Sequence, residues 1–324
     1  MKLSILDRSR TRRGAPDSAA LTGTIERAVH AEQLGFHRFW VAEHHAVPGI
    51  ASGSPPVLLA VLGARTDRIR LGSGGVMLPN HQPLVVAEQF LMLAAMYPGR
   101  IDLGVGRSLG FTKPVREALR RDRNAPDTFA ADLDEVRSYL EGKGAVIARP
   151  QVAGPPPMFV LATRRGLDFA AQAGLPVVVG GPILGGSGAR VPELDRYRDS
   201  FVPSARNRSP YVIVSLEVMI AEDEDRAREL LLPEAWALAQ SSRTGEFPPL
   251  ESVADIRGQA WTPRLREQVD ASIANSIHGT AEQVRVALGA LAARTGADEL
   301  LASTSTFDRA ALLESDRQLS LLDV

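Results

Sequence analysis

The chain predicts a closed, parallel (β/α)8 barrel, and three observations carry that expectation. Short β-rich runs alternate with helix-period segments from end to end, as in parallel α/β proteins. Eight such runs are present, the number a closed barrel uses. The length of 324 residues suits one large barrel, and no shift in composition marks a boundary inside it.

The expected strands are Lys2 to Asp7, Arg38 to Glu43, Ile69 to Gly72, Ile101 to Val105, Met158 to Ala162, Pro176 to Val179, Val212 to Ile220 and Glu299 to Ser303. Each is rich in β-branched or aromatic side chains and is bounded by turn formers. The helices between them carry their own punctuation. The first presents Leu21, Ile25, Ala28 and Val29 on one face and stops at Gly35, which takes a left-handed C′ conformation cheaply. The second opens after Ser54 with Pro55 and Pro56 in its first turn. The third runs from Pro83 to Tyr97 and is closed by Pro98-Gly99, and a short helix follows Gly166. The acidic run Glu222-Asp223-Glu224-Asp225 reads as the start of a helix, where it answers the macrodipole. Residues 113–123 and 241–263 fit the alternation badly and are expected to be insertions or lids of a single barrel domain spanning 1–324.

The formal net charge is -1, so there is no basic footprint for nucleic acid or an anionic membrane. With no cysteine, disulfides and thiolate metal sites are excluded, and a reducing cytoplasm is the expected setting. The sequence starts directly in the apolar run Leu3-Ser4-Ile5-Leu6, without a signal-peptide pattern, and no apolar stretch is long enough to span a bilayer. A small organic ligand is the expected partner.

A barrel of this kind works at the C-terminal ends of its strands. Those ends carry Asp7-Arg8, Glu43-His44-His45, Ser73-Gly74-Gly75-Val76-Met77, Gly106-Arg107-Ser108, Thr163-Arg164-Arg165 and Gly180-Gly181. Histidines handle protons, arginines and a hydroxyl hold an anion, and glycines let a flat ligand meet backbone. The ring therefore suits an aromatic cofactor bearing a phosphate. Thr163 precedes a helix, whose first N–H groups bind anions, and Arg107 adds a bidentate donor. An ordinary N-cap and a surface ion pair remain open as alternatives for these two residues. Strand alternation turns Glu43 and His45 one way and His44 the other. The pair of histidines therefore cannot share one job, and no third ligand at a recognised spacing completes a metal site. The run from Gly104 to Gly110 has the wrong spacing for a dinucleotide fingerprint, and no GxSxG elbow is present.

Four blocks in order resemble the bacterial luciferase-like monooxygenases. They are Phe39 to His45, Arg68 to Asn80, Ala87-Glu88-Gln89 and Pro98 to Arg107, followed by the typical closing runs Gly279 to Val284 and Gly296 to Leu300. The arginine-rich composition is most similar to the actinomycete branch that tailors polyketide natural products. The resemblance implies a barrel that binds reduced flavin mononucleotide (FMNH2) from a separate NAD(P)H:flavin reductase and uses O2 to place one oxygen in an organic substrate. It further implies flavin and proton chemistry at His44, with its neighbour His45 as the second catalytic candidate; strand alternation assigns Glu43 and His45 to orienting or bracing His44. A cis Gly74–Gly75 bond would lie under the isoalloxazine, phosphate would be held by Arg107 and Thr163, and the protein would be a homodimer.

One position departs from the family pattern. A second hydroxyl residue is replaced by Gly166, and Arg164 or Arg165 would compensate. The site must be closed and dry, with Trp40, Met77, Leu78 and Trp261 as walls or lid and His44 titrating near neutrality. Two other readings share the fold. Hydride transfer from the deazaflavin F420 is disfavoured by the His44-His45 pair, because that branch often has one histidine here. Non-catalytic flavin binding is disfavoured because such members usually lose the strand-two histidine.

Overall fold

A computed structural model describes residues 1–324 except Phe111, Arg123, Ala125, Gly186, Ser187 and the side chain of Arg164. Eight strands close the barrel: β1 (Lys2–Asp7), β2 (Arg38–Val41), β3 (Arg70–Ser73), β4 (Ile101–Gly106), β5 (Met158–Leu161), β6 (Val177–Gly180), β7 (Val212–Leu216) and β8 (Glu299–Ala302). Neighbours run β3-β2-β1-β8-β7-β6-β5-β4, and β3 pairs with β4 to close the ring. All these pairings are parallel. The (β/α)8 expectation holds.

Local differences have physical reasons. The run Val212 to Ile220 splits at Glu217: its first part enters the barrel, while Val218–Ile220 pairs outside it with Ile277–Gly279. The run from Arg38 leaves the sheet at Val41, before its acidic and imidazole residues. In the helix Asp17–Gln33 the buried face is Ala20, Gly23, Thr24, Arg27, Ala28 and Ala31 rather than the face through Leu21 and Ile25. Arg27 rotates it, because its buried guanidinium meets Asp316 at 2.7 Å and Asp7 at 3.1 Å. The acidic run behaves as expected: Asp223 caps the helix Glu224–Thr244, with Glu224 and Asp225 in its first turn.

Inside the barrel Trp40, Phe159, Val178, Ile213 and Leu301 pack with Leu6, Leu161 and Tyr211. Trp40 meets Phe159 edge to face at 5.1 Å. Gly72 is opposite Trp40, and a Cβ there would lie 2.4 Å from the indole Nε1, so that rung admits only glycine. The interior is thus a plug rather than a pore, and a ligand must sit above it.

Both insertions are more regular than expected. Lys113–Ala118 is a short helix capped by the Thr112 hydroxyl. Ser241 to Thr244 completes the last turn of the preceding helix, and Val253–Arg257 forms another. Between them, residues 247–250 dock on the loops after β1 and β2: Phe247 O accepts from Gly49 N–H at 2.8 Å and Leu250 N–H donates to Thr11 O at 2.9 Å. Among the described residues no helix is long and apolar enough to cross a membrane.

Candidate active site

The C-terminal mouth is organised by a buried carboxylate just past β2. Glu43 Oε1 accepts from His45 Nε2 at 2.6 Å and from His81 Nε2 at 2.7 Å, and Oε2 accepts from Met77 N–H at 3.0 Å. Burial would raise this carboxyl, but hydrogen bonds from both imidazoles, the charge of His81 and the Met77 amide overcome it and hold it down at about 2. Glu43 and His45 do meet, as expected, but in the loop beyond the strand end rather than through strand alternation. Their partner, however, is His81 rather than His44, so they do not brace His44 directly.

His81 also completes a group the sequence spacing did not reveal. The three candidate ligand atoms of Glu43, His45 and His81 lie within 4.8 Å of one another, so a third potential metal ligand is present after all. Here the carboxylate accepts from both rings, which accounts for the cluster without an ion.

His44 faces the other way. Its backbone N–H donates to Ser52 O at 2.9 Å, and Ser52 Oγ donates back to Ala42 O at 2.7 Å, pinning the loop. Burial first, then the charges of Arg8 and Arg10, push the His44 imidazole down to about 4. It does not titrate near neutrality. At neutral pH it is an uncharged base, able to accept a proton but not to deliver one as imidazolium.

Just past β3 the Gly74–Gly75 peptide is cis, as the resemblance implied. Gly74 N–H donates to Val41 O at 2.8 Å. A Cβ at Gly74 would sit 2.6 Å from Leu6, and one at Gly75 would sit 2.9 Å from Leu161 and 3.0 Å from Gly104 O. The pair therefore lies flat against the plug. Beyond it Met77 pairs with Gly106 on β4, and on the next rung of β4 and β5 Val105 pairs with Val160. Arg107 and Thr163 thus leave the mouth on adjacent strands. His44, Gly74–Gly75, Arg107 and Thr163 occupy four consecutive staves.

At the far end of that row the donors point to an anion. Thr163 takes the N-cap position of the helix Arg164–Ala173, yet its side chain makes no capping bond. The hydroxyl and the N–H groups of the first two helical residues are available to a ligand, while Gly166 N–H donates to Thr163 O at 2.7 Å. Arg165 is exposed at the same turn. Arg107 instead carries an ion pair with Asp127, the alternative left open for it, and lies 5.8 Å from the Phe129 ring centre. A Cβ at Gly166 would reach only ordinary contact, 3.4 Å from Ala162 Cβ, so its missing hydroxyl is a chemical departure, not a steric one. The Arg164 side chain lies outside the described residues.

The sequence model of the luciferase-like monooxygenases matches residues 1–299. The chain belongs to that family. A luciferase-like monooxygenase of Escherichia coli (strain K12) is 36% identical over 323 residues, which covers 96% of this chain and 94% of the relative. Crystalline apo-MsnO8 superposes with a TM-score of 0.87 at 32% identity, covering 98% of this chain and 97% of that one. At 17% identity and a TM-score of 0.75, the same fold is seen in the oxygenating constituent of 3,6-diketocamphane monooxygenase from Pseudomonas putida in complex with FMN, with 99% and 97% covered.

Within this luciferase-like monooxygenase, two expectations about the walls need revision. Trp261 packs on Trp236 at 4.8 Å in a separate cluster under the outer helices, so it is not a lid over the mouth. Trp40 forms the floor rather than a wall, while Met77 and Leu78 are buried beside Glu43. Sequence reasoning also passed over Arg10 and Glu234, which approach His44 only in three dimensions, and His81. The one signal for His81 was position, since the block quoted for the family stops at Asn80.

Proposed function

We propose that this chain is an FMNH2- and O2-dependent monooxygenase that hydroxylates or epoxidises a polyketide-like organic substrate, in the cytoplasm, with reduced flavin delivered by a separate NAD(P)H:flavin reductase. The observation that carries this reading is the row on four adjacent strands: a buried neutral base, a flat glycine pair and an anion corner. The donor set fits the cofactor. Thr163, the first turn of its helix, Arg107 and Arg165 would hold the phosphate, with the Arg107–Asp127 pair opening to do so, and Gly74–Gly75 would lie against the ring. Reduced FMN, when bound, would supply the two electrons that activate O2.

The chain's own residues do the rest. His44 would accept a proton from the bound ring or substrate, and it is kept uncharged for this by burial and by Arg8 and Arg10. The Met77 amide, fixed by Glu43, keeps the strand after the glycine pair from shifting. The buried plug and Leu78 exclude water from beneath. A homodimer is part of this reading: Val57 and Val61 on the helix Pro55–Arg65, with Val85, Met92 and Met96 on the adjacent helix Pro83–Met96, form an exposed apolar stripe suited to a second copy.

Titration with FMN, FMNH2 and F420, followed by O2 mixing, tests the reading. FMNH2 should bind and consume O2; tight binding of F420 alone, with no O2 consumption, would overturn it.

A further inference from the structure

The mouth holds a second charged cluster that flavin binding does not use. Arg8 and Glu217 follow β1 and β7 directly, and Ser303 follows β8 between them. Arg8 Nη2 donates to Glu217 Oε1 at 3.0 Å and to Ser303 O at 2.9 Å, while Nη1 meets Glu234 Oε1 at 3.1 Å. Glu234 Oε2 is held in turn by Arg10 Nε at 2.8 Å, and Arg10 is fixed by Gly49 O and Pro248 O. Depth divides the four residues. The Arg10 and Glu234 side chains are 2% and 3% exposed, whereas those of Arg8 and Glu217 are each 20% exposed.

The inner pair is therefore an anchor, and the outer pair is its working edge. Arg8 keeps one ion pair whatever happens at its exposed side, so it can exchange Glu217 for another acceptor without becoming an isolated charge. We propose that Arg8 and Glu217 form the polar end of the substrate pocket and take a carboxylate, with Glu217 yielding Arg8 to the ligand and holding a proton while it is bound. This deepens the monooxygenase reading, on which it rests, by naming the substrate class.

The charge balance supports a carboxylate over a neutral group. With Glu217 protonated, Arg8 and Arg10 face only the charge of Glu234, and one added anion restores neutrality. Burial raises the Glu217 carboxyl; Arg8 opposes the rise, Glu234 adds to it, and the net shift is upward, so the proton is available near neutral pH. Burial raises the Glu234 carboxyl too, but it touches both guanidinium groups, Arg10 at 2.8 Å and Arg8 at 3.1 Å, so it is shifted down and stays ionised. The Arg8 guanidinium also keeps a buried Nε–H without an acceptor among the described residues, which marks it as a strong donor not fully spent on the protein.

The test uses octanoate and octanamide as probes on FMN-saturated protein, so that the phosphate corner is already occupied, with binding read calorimetrically between pH 6 and 9. Octanoate should bind more tightly than octanamide, take up a proton on binding, and lose about tenfold in affinity per pH unit on the alkaline side. Glu217→Gln should bind octanoate with little pH dependence. Arg8→Gln should abolish the preference for the acid; because it leaves Glu234 short of a partner, the Glu217 variant carries the test if that protein fails to fold. Equal affinity for acid and amide, or an unchanged pH dependence in Glu217→Gln, would overturn the proposal. Failure of FMN to bind would instead strike the flavin reading, and the same probes on flavin-free protein would then still decide this one.

Discussion

The two ends of the barrel both bury charge, and they do so in opposite styles. At the N-terminal end Arg38 bridges Asp102 at 2.8 Å and Glu299 at 2.7 Å, and Arg70 closes on Asp102. Ser4 and Tyr211 add hydroxyl donors to Glu299 at 2.5 and 2.8 Å, and Trp40 Nε1 reaches Asp102 at 3.2 Å. Each carboxylate there is met by fixed donors from several strands, and the result is a tie. At the mouth, one carboxylate is shared by two partly exposed imidazoles, the His44 imidazole is kept neutral, and an arginine is split between a buried and a partly exposed partner. Size does not distinguish the ends in the same way. A cavity of about 770 Å³ opens near the N-terminal end, lined by Arg137, Glu141, Pro155 and Arg206, but its charges pair with one another and it holds no histidine. Chemistry, rather than volume, places the site at the mouth.

That contrast predicts different costs. The largest belongs to the tie: Arg38→Leu leaves two buried carboxylates short of a partner and should lose about 3 to 5 kcal/mol in denaturant unfolding. A loss under 1 kcal/mol would mean the N-terminal network is not the brace described. Glu43→Gln comes next. The folded carboxyl lies at about 2, below its ordinary value of 4.5, so its contribution is complete above the ordinary value and is lost as pH falls through about 2. The displacement corresponds to roughly 3 kcal/mol, as an order of magnitude. Wild type should therefore destabilise more steeply than the variant between those limits, in thermal melts across acid pH. Parallel pH curves would show that the two imidazoles, not the carboxylate charge, hold the cluster.

How much was readable beforehand follows from how local each feature is. Strands such as Lys2–Asp7 announce themselves in six residues, and the prolines at Pro55 and Pro83 mark helix starts without help from the rest of the chain. Gly74–Gly75 and Arg107 could be singled out because each belongs to a contiguous block, and Thr163 because it stands between a strand and a helix. The partnership of Glu43 with His81 was not, because it joins side chains 38 residues apart across two strand ends. Arg8 is farther still from its partners, 209 positions from Glu217, and only barrel closure brings them together. The shift on His44 was invisible for the same reason: burial and two guanidinium groups set it, and neither is encoded near the histidine. Even the first helix was rotated by a tertiary pull, through Arg27.

His44→Ala should affect turnover rather than flavin binding. Removing a positioned base costs about 100-fold in product formation, with FMNH2 still oxidised and H2O2 released instead. Its stability effect has a defined sign. The folded imidazole resists protonation down to about 4, whereas the unfolded one titrates near 6.5, so wild type loses stability as pH falls through that window and the alanine variant should not. Full product yield in the variant would remove His44 from the reaction.

The smallest effect is expected at Arg107. Its guanidinium side chain is 35% exposed and already paired with Asp127, whose side chain is 59% exposed, so a phosphate must compete with a solvated partner. Arg107→Ala should weaken FMN binding by about tenfold, roughly the worth of one charge-assisted contact. Asp127→Asn should act in the opposite direction, freeing the guanidinium and tightening FMN binding slightly. If both variants bind FMN as wild type does, the pair is a surface ion pair and nothing more, and the phosphate must be held by Thr163, Arg165 and the helix start.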